Sequence, residues 1–236
     1  MKYISLLSFF LVLPFLSQAQ KQFEGGILMG YSNYLGDLVE PTFTFDQSSF
    51  CAGAFVKKSL SESFALRGNV FIGGLYGDDF FYETNKARND RFRSTFLEIS
   101  FMGEYDLIGQ RRYQRNGLFK KTISPFVFAG LGIIASNPKV VYGIPDNIDA
   151  QNPQGAFNLV LPVGFGLKID VNDLIYVGVE WGMRVTTTDY LDGVKLTGNA
   201  DNNDVYFIGG VSATYRFADK KSDRGVEFGS LQFDSN

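Results

Sequence analysis

The chain has 236 residues, a formal net charge of −3, 16% aromatic residues, 26 glycines and one cysteine, Cys51. The nearly neutral charge argues against a nucleic-acid-binding protein, which needs a basic surface. The chain contains no histidine, which excludes His-based catalysis and His-containing metal sites. We expect no cofactor, no metal and no small-molecule substrate.

Residues 1–19 are typical of a secretory signal peptide. Lys2 supplies the positive start, residues 6–16 form the apolar core, and Ser17-Gln18-Ala19 is a small-x-small cleavage site. The apolar core is shorter than the roughly 20 residues that a membrane-spanning helix needs. We expect export and a mature chain that begins at Gln20, and no later segment contains an apolar run long enough for a spanning helix.

From residue 20 to residue 217, apolar residues alternate with polar or small ones in short segments. In the last segment, Val205, Val211 and Phe217 lie on one face, whereas Ser212 and Arg216 lie on the other. The repeated alternation predicts an all-β fold, an eight-stranded antiparallel transmembrane β-barrel of the outer-membrane type. The predicted strands cover residues 22–32, 50–59, 64–76, 93–108, 124–136, 156–170, 174–188 and a final strand that ends at Phe217.

The predicted connections alternate in length. Outer-membrane barrels have short periplasmic turns and longer extracellular loops, so both termini are expected in the periplasm of a Gram-negative cell, with residues 218–236 as a short periplasmic tail. A soluble, lipocalin-like barrel is the structural alternative, with its apolar face turned inward around a ligand. The inward candidates of this chain are charged, which argues against that alternative. The fifth predicted strand is apolar on both faces, so its register stays open.

Several charged or polar residues fall opposite the lipid-facing set: Glu24, Arg67, Asn69, Glu98, Glu104, Lys168, Glu180 and Arg184. An eight-stranded barrel has an interior that side chains can fill, and buried charges must pair. We expect a charge network of Glu–Arg contacts rather than a channel. Arg67 and Glu98 lie on adjacent predicted strands, and Glu180 lies four residues from Arg184.

One predicted periplasmic turn, residues 109–124, is long and strongly basic. It carries Arg111, Arg112, Arg115, Lys120 and Lys121 and no acidic residue. The turn has two interpretations: contact with a protein partner, or a solvated loop near the phosphates of the inner leaflet.

The lone Cys51 has three interpretations. A single thiol in an exported protein is a buried thiol, a partner in an intermolecular disulfide, or a free exposed thiol.

Ten short segments occur in an order that resembles the PorG family, the small outer-membrane barrel of the type IX secretion system. They are Tyr31–Leu38, Phe64–Gly68, Gly77–Asp79, Arg88-Asn89, Phe92–Ser94, Leu97-Glu98, Pro125–Gly132, Asn137–Lys139, Pro162–Gly166 and Thr188–Asp192. The resemblance implies a non-enzymatic role in protein secretion beside a periplasmic ring built from a PorK-like lipoprotein and a PorN-like partner. It also makes a covalent link from Cys51 to the ring lipoprotein conceivable, although the predicted position of Cys51, near the outer end of the second strand, opposes it.

Two other functions stay open. The first is a stand-alone outer-membrane barrel that binds a surface ligand or passes small hydrophobic solutes, with Phe80, Phe81 and Tyr82 as the contact patch of the second outer loop. The second is a membrane enzyme acting on lipids, which the absence of histidine makes remote.

Overall fold

The computed structural model describes residues 23–35, 47–78, 91–108, 119–141, 156–187 and 204–217. They form eight strands: β1 (Phe23–Leu35), β2 (Ser49–Ser59), β3 (Phe64–Asp78), β4 (Arg91–Asp106), β5 (Ile123–Val141), β6 (Ala156–Asp170), β7 (Ile175–Thr186) and β8 (Val205–Phe217). Each strand pairs antiparallel with the next, and β8 pairs with β1 to close the barrel. Closure leaves no strand at the edge of the sheet. The predicted fold class is confirmed.

Strand β4 shows how the sequence specifies the two surfaces of the barrel. Burial alternates along its length, so that Phe96 and Glu98 are buried while Leu97 and Phe101 are exposed. Side chains of a strand point alternately to opposite faces of the sheet, so a closed sheet has one face inside and one outside. The apolar face of β4 is the outer one, as the alternation predicted.

The outer face of the barrel carries a broad belt of exposed apolar side chains. It includes Ile27, Met29, Leu66, Val70, Ile72, Leu97, Ile99, Phe101, Leu131, Ile133, Leu159, Leu161, Val163, Phe165, Val179 and Val211. A belt of this size is incompatible with a water-exposed surface but matches the hydrocarbon layer of a membrane. Among the described residues, no helix has the length and apolar character needed to cross a membrane.

The two ends of the barrel differ. At one end, which we call the turn end, residues 60–63 and 171–174 make tight connections, and the chain enters β1 and leaves β8. Asn172 closes one of these turns, because its Oδ1 accepts hydrogen bonds from the backbone N–H groups of Leu174 and Ile175 at 2.9 and 2.7 Å. The third connection at this end, between β4 and β5, is longer. The opposite end, the loop end, is where the connections 36–48, 79–90, 142–155 and 187–204 leave the strands. The predicted signal peptide and the predicted tail lie outside the described residues.

The strands continue past the apolar belt at the loop end, where the sequence pattern stopped. Strand β5 runs to Val141 rather than to residue 136, and β4 begins at Arg91 rather than at residue 93. Backbone pairing continues there with polar side chains, which give no apolar alternation to detect. The register of β5 places Phe126, Phe128 and Ile134 inside the barrel.

Candidate functional site

The half of the interior near the turn end contains an ionic network built around Glu104. The Glu104 carboxylate accepts a hydrogen bond from Lys57 Nζ at 2.9 Å and a second one from Lys168 Nζ, and Arg67 Nη1 lies 3.8 Å away. Glu104 is fully buried, and its three cationic neighbours are at most 3% exposed. Three cations around one carboxylate require further acidic groups nearby, because each buried charge must be compensated.

Those acidic groups come from neighbouring strands. Lys168 Nζ also donates to Asp106 Oδ1 at 2.7 Å, and Lys57 Nζ lies 3.3 Å from Glu24 Oε2. The Tyr176 hydroxyl links Lys57 to Glu24, because it accepts a hydrogen bond from Lys57 Nζ at 2.5 Å and donates one to Glu24 Oε2 at 2.9 Å. The network therefore connects β1, β2, β4, β6 and β7 across the lumen.

Arginine side chains extend the network in both directions. Arg67 donates from Nη1 and Nη2 to the Glu180 carboxylate at 2.6 and 3.1 Å, a two-pronged contact that fixes geometry as well as charge. Its guanidinium group also lies 3.9 Å from the centroid of the Phe55 ring. At the turn end, Arg216 Nη2 donates to Asp170 Oδ1 at 2.5 Å, and Arg216 Nε lies 3.6 Å from Glu24 Oε1.

A second, smaller polar cluster surrounds Glu98. Its carboxylate accepts from the Tyr206 hydroxyl at 2.7 Å and from Ser100 Oγ at 2.8 Å. Arg184 Nε lies 3.7 Å from the same carboxylate, and Arg184 Nη1 donates to the Gly182 carbonyl at 2.7 Å. Glu98 and Arg184 are both fully buried.

The half of the interior near the loop end is closed by an apolar plug. Its buried members are Leu28, Tyr34, Cys51, Phe71, Leu75, Phe92, Phe96, Ile134, Val160, Tyr206 and Ile208. Tyr34 packs edge-on against Phe92 with ring centroids 4.8 Å apart, and its hydroxyl donates to Asp204 Oδ1 at 2.5 Å. The described part of the interior thus contains a buried ionic network in one half, and buried apolar side chains around the Glu98 cluster in the other.

The structure places the predicted interior residues Glu24, Arg67, Asn69, Glu98, Glu104, Lys168, Glu180 and Arg184 inside the barrel. The partners differ from those suggested by sequence proximity. Arg67 pairs with Glu180 across the lumen, and Arg184 lies beside Glu98. Sequence reasoning missed further buried charges, among them Lys57, Asp106, Asp170 and Arg216.

The signals for the missed residues were of unequal strength. Arg216 lies on the inward face of the predicted last strand, so the alternation already marked it. Lys57 gave no such signal, because β2 has one lysine on each face: Lys57 points inward, whereas Lys58 lies over the ring of Phe23 on the outside.

Cys51 lies within the apolar plug with no exposed surface. A disulfide to another chain needs the sulfur at a surface, so this position favours the buried thiol over the covalent link. We expect a maleimide reagent to leave Cys51 of the folded barrel unmodified and to modify it fully after denaturation. The control is an Asp173→Cys, Cys51→Ala variant, whose thiol in the exposed turn is expected to react in both states. Rapid modification of folded wild-type protein would contradict the burial.

The structure describes two of the five residues of the predicted basic surface. Lys120 and Lys121 are exposed, immediately before β5 at the turn end. Arg111, Arg112 and Arg115 lie outside the described residues.

No group of three or more Cys, Asp or Glu among the described residues is placed to hold a metal ion. A groove of about 500 Å³ lies on the lipid-facing wall, between Tyr105, Ala129 and Phe165, and is lined by apolar side chains. The interior carboxylates are engaged in ion pairs and hydrogen bonds.

A closed antiparallel barrel with its apolar side chains outside and its charges paired inside is a transmembrane β-barrel of the outer-membrane type. The chain belongs to the family described as a domain of unknown function, DUF6089, whose model matches residues 2–222. No curated protein matches the chain at a significant level.

Several solved structures are similar to this barrel. The attachment invasion locus protein Ail of Yersinia pestis, in complex with the heparin analogue sucrose octasulfate, has 10% identity and a TM-score of 0.46, over 84% of this chain and 99% of that chain. The Neisserial surface protein A has 11% identity and a TM-score of 0.46, over 83% and 97%. The N-terminal β-barrel domain of OprF of Pseudomonas aeruginosa has 12% identity and a TM-score of 0.44, over 85% and 100%. At these identities the similarity concerns the fold alone.

Proposed function

We propose that this protein is a non-enzymatic component of a type IX secretion machinery, which anchors or contacts a periplasmic ring formed by a PorK-like lipoprotein and a PorN-like partner. The observation that carries the proposal is the filled interior. The ionic network and the apolar plug together occupy the described lumen, which leaves the two ends of the barrel for function. The ordered motifs that resemble the PorG family support the choice of this machinery.

The proposal assigns the turn end to the periplasm. Its support is that two of the three turn-end connections, 60–63 and 171–174, have only four residues each, whereas all four loop-end connections have twelve or more, which is the usual asymmetry of outer-membrane barrels. The third turn-end connection, between β4 and β5, is the long exception. In this orientation both chain termini and the 109–124 turn face the ring.

The proposed ring-contact surface consists of the 109–124 turn and the 218–236 tail. Lys120 and Lys121 give the described part of the turn an exposed positive charge, and Arg111, Arg112 and Arg115 belong to the same turn. A concentrated charge of one sign favours a partner surface of the opposite sign. The tail follows Phe217 at the turn end and contributes the apolar residues Phe228, Leu231 and Phe233.

The alternative is a stand-alone barrel that binds a ligand at the cell surface. The aromatic run Phe80, Phe81 and Tyr82 supports it, because it follows β3 directly at the loop end. Passage of small hydrophobic solutes is less compatible with the structure, since buried ion pairs fill the described lumen near the turn end.

Charge reversal tests the proposed ring contact. We expect an Arg111→Glu, Arg112→Glu, Arg115→Glu variant to lose most of the ring lipoprotein that co-purifies with tagged wild-type protein from gently solubilised envelopes, because repulsion replaces attraction. The matched control reverses three cations at the opposite end, Arg91→Glu, Arg93→Glu and Lys139→Glu, and is expected to retain the ring.

The outcomes separate the two functions. Undiminished recovery of the ring with the first variant would remove the 109–124 turn from the contact. Recovery of the wild-type barrel without any ring component would favour the stand-alone alternative. Deletion of residues 79–90 then distinguishes the two functions directly. If the protein is a stand-alone barrel, the deletion variant loses surface binding. If it is a secretion component, the variant still exports its cargo.

A further inference from the structure

Three cationic side chains form a patch on the outer wall of the barrel at the loop end. Arg93 of β4 and Lys139 of β5 are direct cross-strand partners, and Arg91 lies two residues before Arg93 on the same face. All three side chains are exposed. We call Arg91, Arg93 and Lys139 the basic rim.

Within the part of the chain that the structure describes, the positive charge of the basic rim is poorly compensated. Like charges placed directly opposite each other on neighbouring strands destabilise a sheet. Arg91 Nε lies 4.0 Å from Asp78 Oδ2, but none of the described carboxylates forms an ion pair with Arg93 or Lys139. Arg93 instead lies 5.8 Å from the centroid of the Tyr76 ring. A bound anion would turn this repulsion into attraction.

The height of the basic rim on the barrel wall indicates where that anion comes from. Along β4 and β5, Leu97 faces lipid opposite Ala135, the polar pair Thr95 and Asn137 follows, and the basic rim comes next. Four residues separate Leu97 from Arg93, which is about 13 Å along a strand. The usual strand tilt reduces this to about 10 Å along the membrane normal. That distance places the charges in the headgroup layer.

We propose that the basic rim binds the phosphate groups of an outer-leaflet glycolipid of the lipid A type. The guanidinium groups of arginines suit two-pronged contacts with phosphate oxygens, and Lys139 adds a point charge beside them. Thr95 and Asn137, directly below, offer hydrogen-bonding groups to the attached sugar. The inference depends on the orientation given in the proposed function, in which the loop end faces the cell exterior.

The apolar wall that follows the polar pair strengthens the choice of a membrane lipid over a soluble anion. Below Thr95, the cross-strand partners Leu97 and Ile72 expose apolar side chains, so an acyl chain can lie along the belt while its headgroup reaches the cations. A ligand with both a phosphate and acyl chains contacts the basic rim and the apolar belt. Free phosphate contacts only the basic rim.

The test is lipid binding by the purified, full-length folded barrel in neutral detergent, measured by native mass spectrometry with diphosphoryl lipid A. We expect an Arg93→Gln, Lys139→Gln variant to bind about 30-fold more weakly, the factor that corresponds to the loss of two membrane-proximal cations. The charge-preserving variant Arg93→Lys, Lys139→Arg is expected to retain most of the binding. Lys120→Gln, Lys121→Gln, at the turn end, is the matched control and is expected to bind like wild type.

Heat-dependent migration in electrophoresis establishes that each variant is folded. Equal binding of lipid A by wild type and by Arg93→Gln, Lys139→Gln would overturn the proposal, as would equal binding of dephosphorylated lipid A. A preference for phosphatidylglycerol that is lost in the same variant would overturn the assignment to the outer leaflet. Ring co-purification is read separately, so a barrel that keeps its ring but ignores lipid A disproves this inference alone.

Discussion

Replacement of Glu104 by glutamine is expected to destabilise the folded barrel by about 3–5 kcal/mol, the cost typical of removing one partner from a buried ion cluster. Glu104 accepts hydrogen bonds from Lys57 and Lys168 and lies 3.8 Å from Arg67. Glutamine keeps the size of the side chain but removes the negative charge shared by three cations. The free energy of unfolding can be followed in bilayers by urea titration with the fluorescence of Trp181, the single tryptophan of the chain.

Two further variants make the expectation specific. Glu62→Gln changes an exposed carboxylate in the 60–63 turn and is expected to alter stability by less than about 0.5 kcal/mol. Adding Lys57→Met to Glu104→Gln removes one of the cations left in excess, so the double variant is expected to be more stable than Glu104→Gln alone. A loss below about 1 kcal/mol for Glu104→Gln would mean that the cluster is solvated or only loosely coupled.

Substitution of Gly30 by alanine is expected to prevent closure of the barrel. A Cβ atom at Gly30 would lie 2.0 Å from the Gly209 carbonyl oxygen and 2.5 Å from the Gly210 Cα. Both obstacles are backbone atoms of β8, which cannot rotate away as a side chain can. The cost should therefore exceed the 1–3 kcal/mol typical of an overpacked core. The measurement is the fraction of membrane-inserted protein that shows the heat-dependent migration of a folded barrel.

Gly68 provides the matched control. A Cβ there would lie 3.4 Å from the nearest atom, Phe101 Cε1, which is an ordinary packing distance. Gly68→Ala is therefore expected to insert and fold like wild type, although it makes the same chemical change in the third strand of the same barrel. Normal folding of Gly30→Ala would show that β1 and β8 are further apart than in this structure.

The faces of the strands were predictable because the alternation of apolar and polar residues is a local property. In β6, Phe157, Leu159 and Leu161 mark the outer face without reference to any other strand. In β5 the same reasoning gave no answer, because Val127 and Phe128 are both apolar although one is half-exposed to lipid and the other is buried. Only pairing with β4 and β6 fixes that register.

The interior partners were not predictable from spacing. Arg67 and Glu180 are separated by 113 residues and meet across the lumen. Their contact depends on the tilt and stagger of all the strands between them, quantities that no local pattern specifies. Charged residues at inward positions can therefore be recognised singly from the sequence, but the pairs they form cannot.

The position of Arg216 has a consequence for biogenesis. Arg216 lies next to the end of the last strand, yet its partners Asp170 and Glu24 belong to the sixth and the first strands. A nascent chain that stops at the seventh strand has already carried two carboxylates into the low-dielectric lumen without the cation that completes their neutralisation. The final strand thus supplies, in one step, the backbone hydrogen bonds that close the barrel and the positive charge that Asp170 and Glu24 need. An insertion machinery that releases only stable barrels would release the complete protein and retain a truncated one.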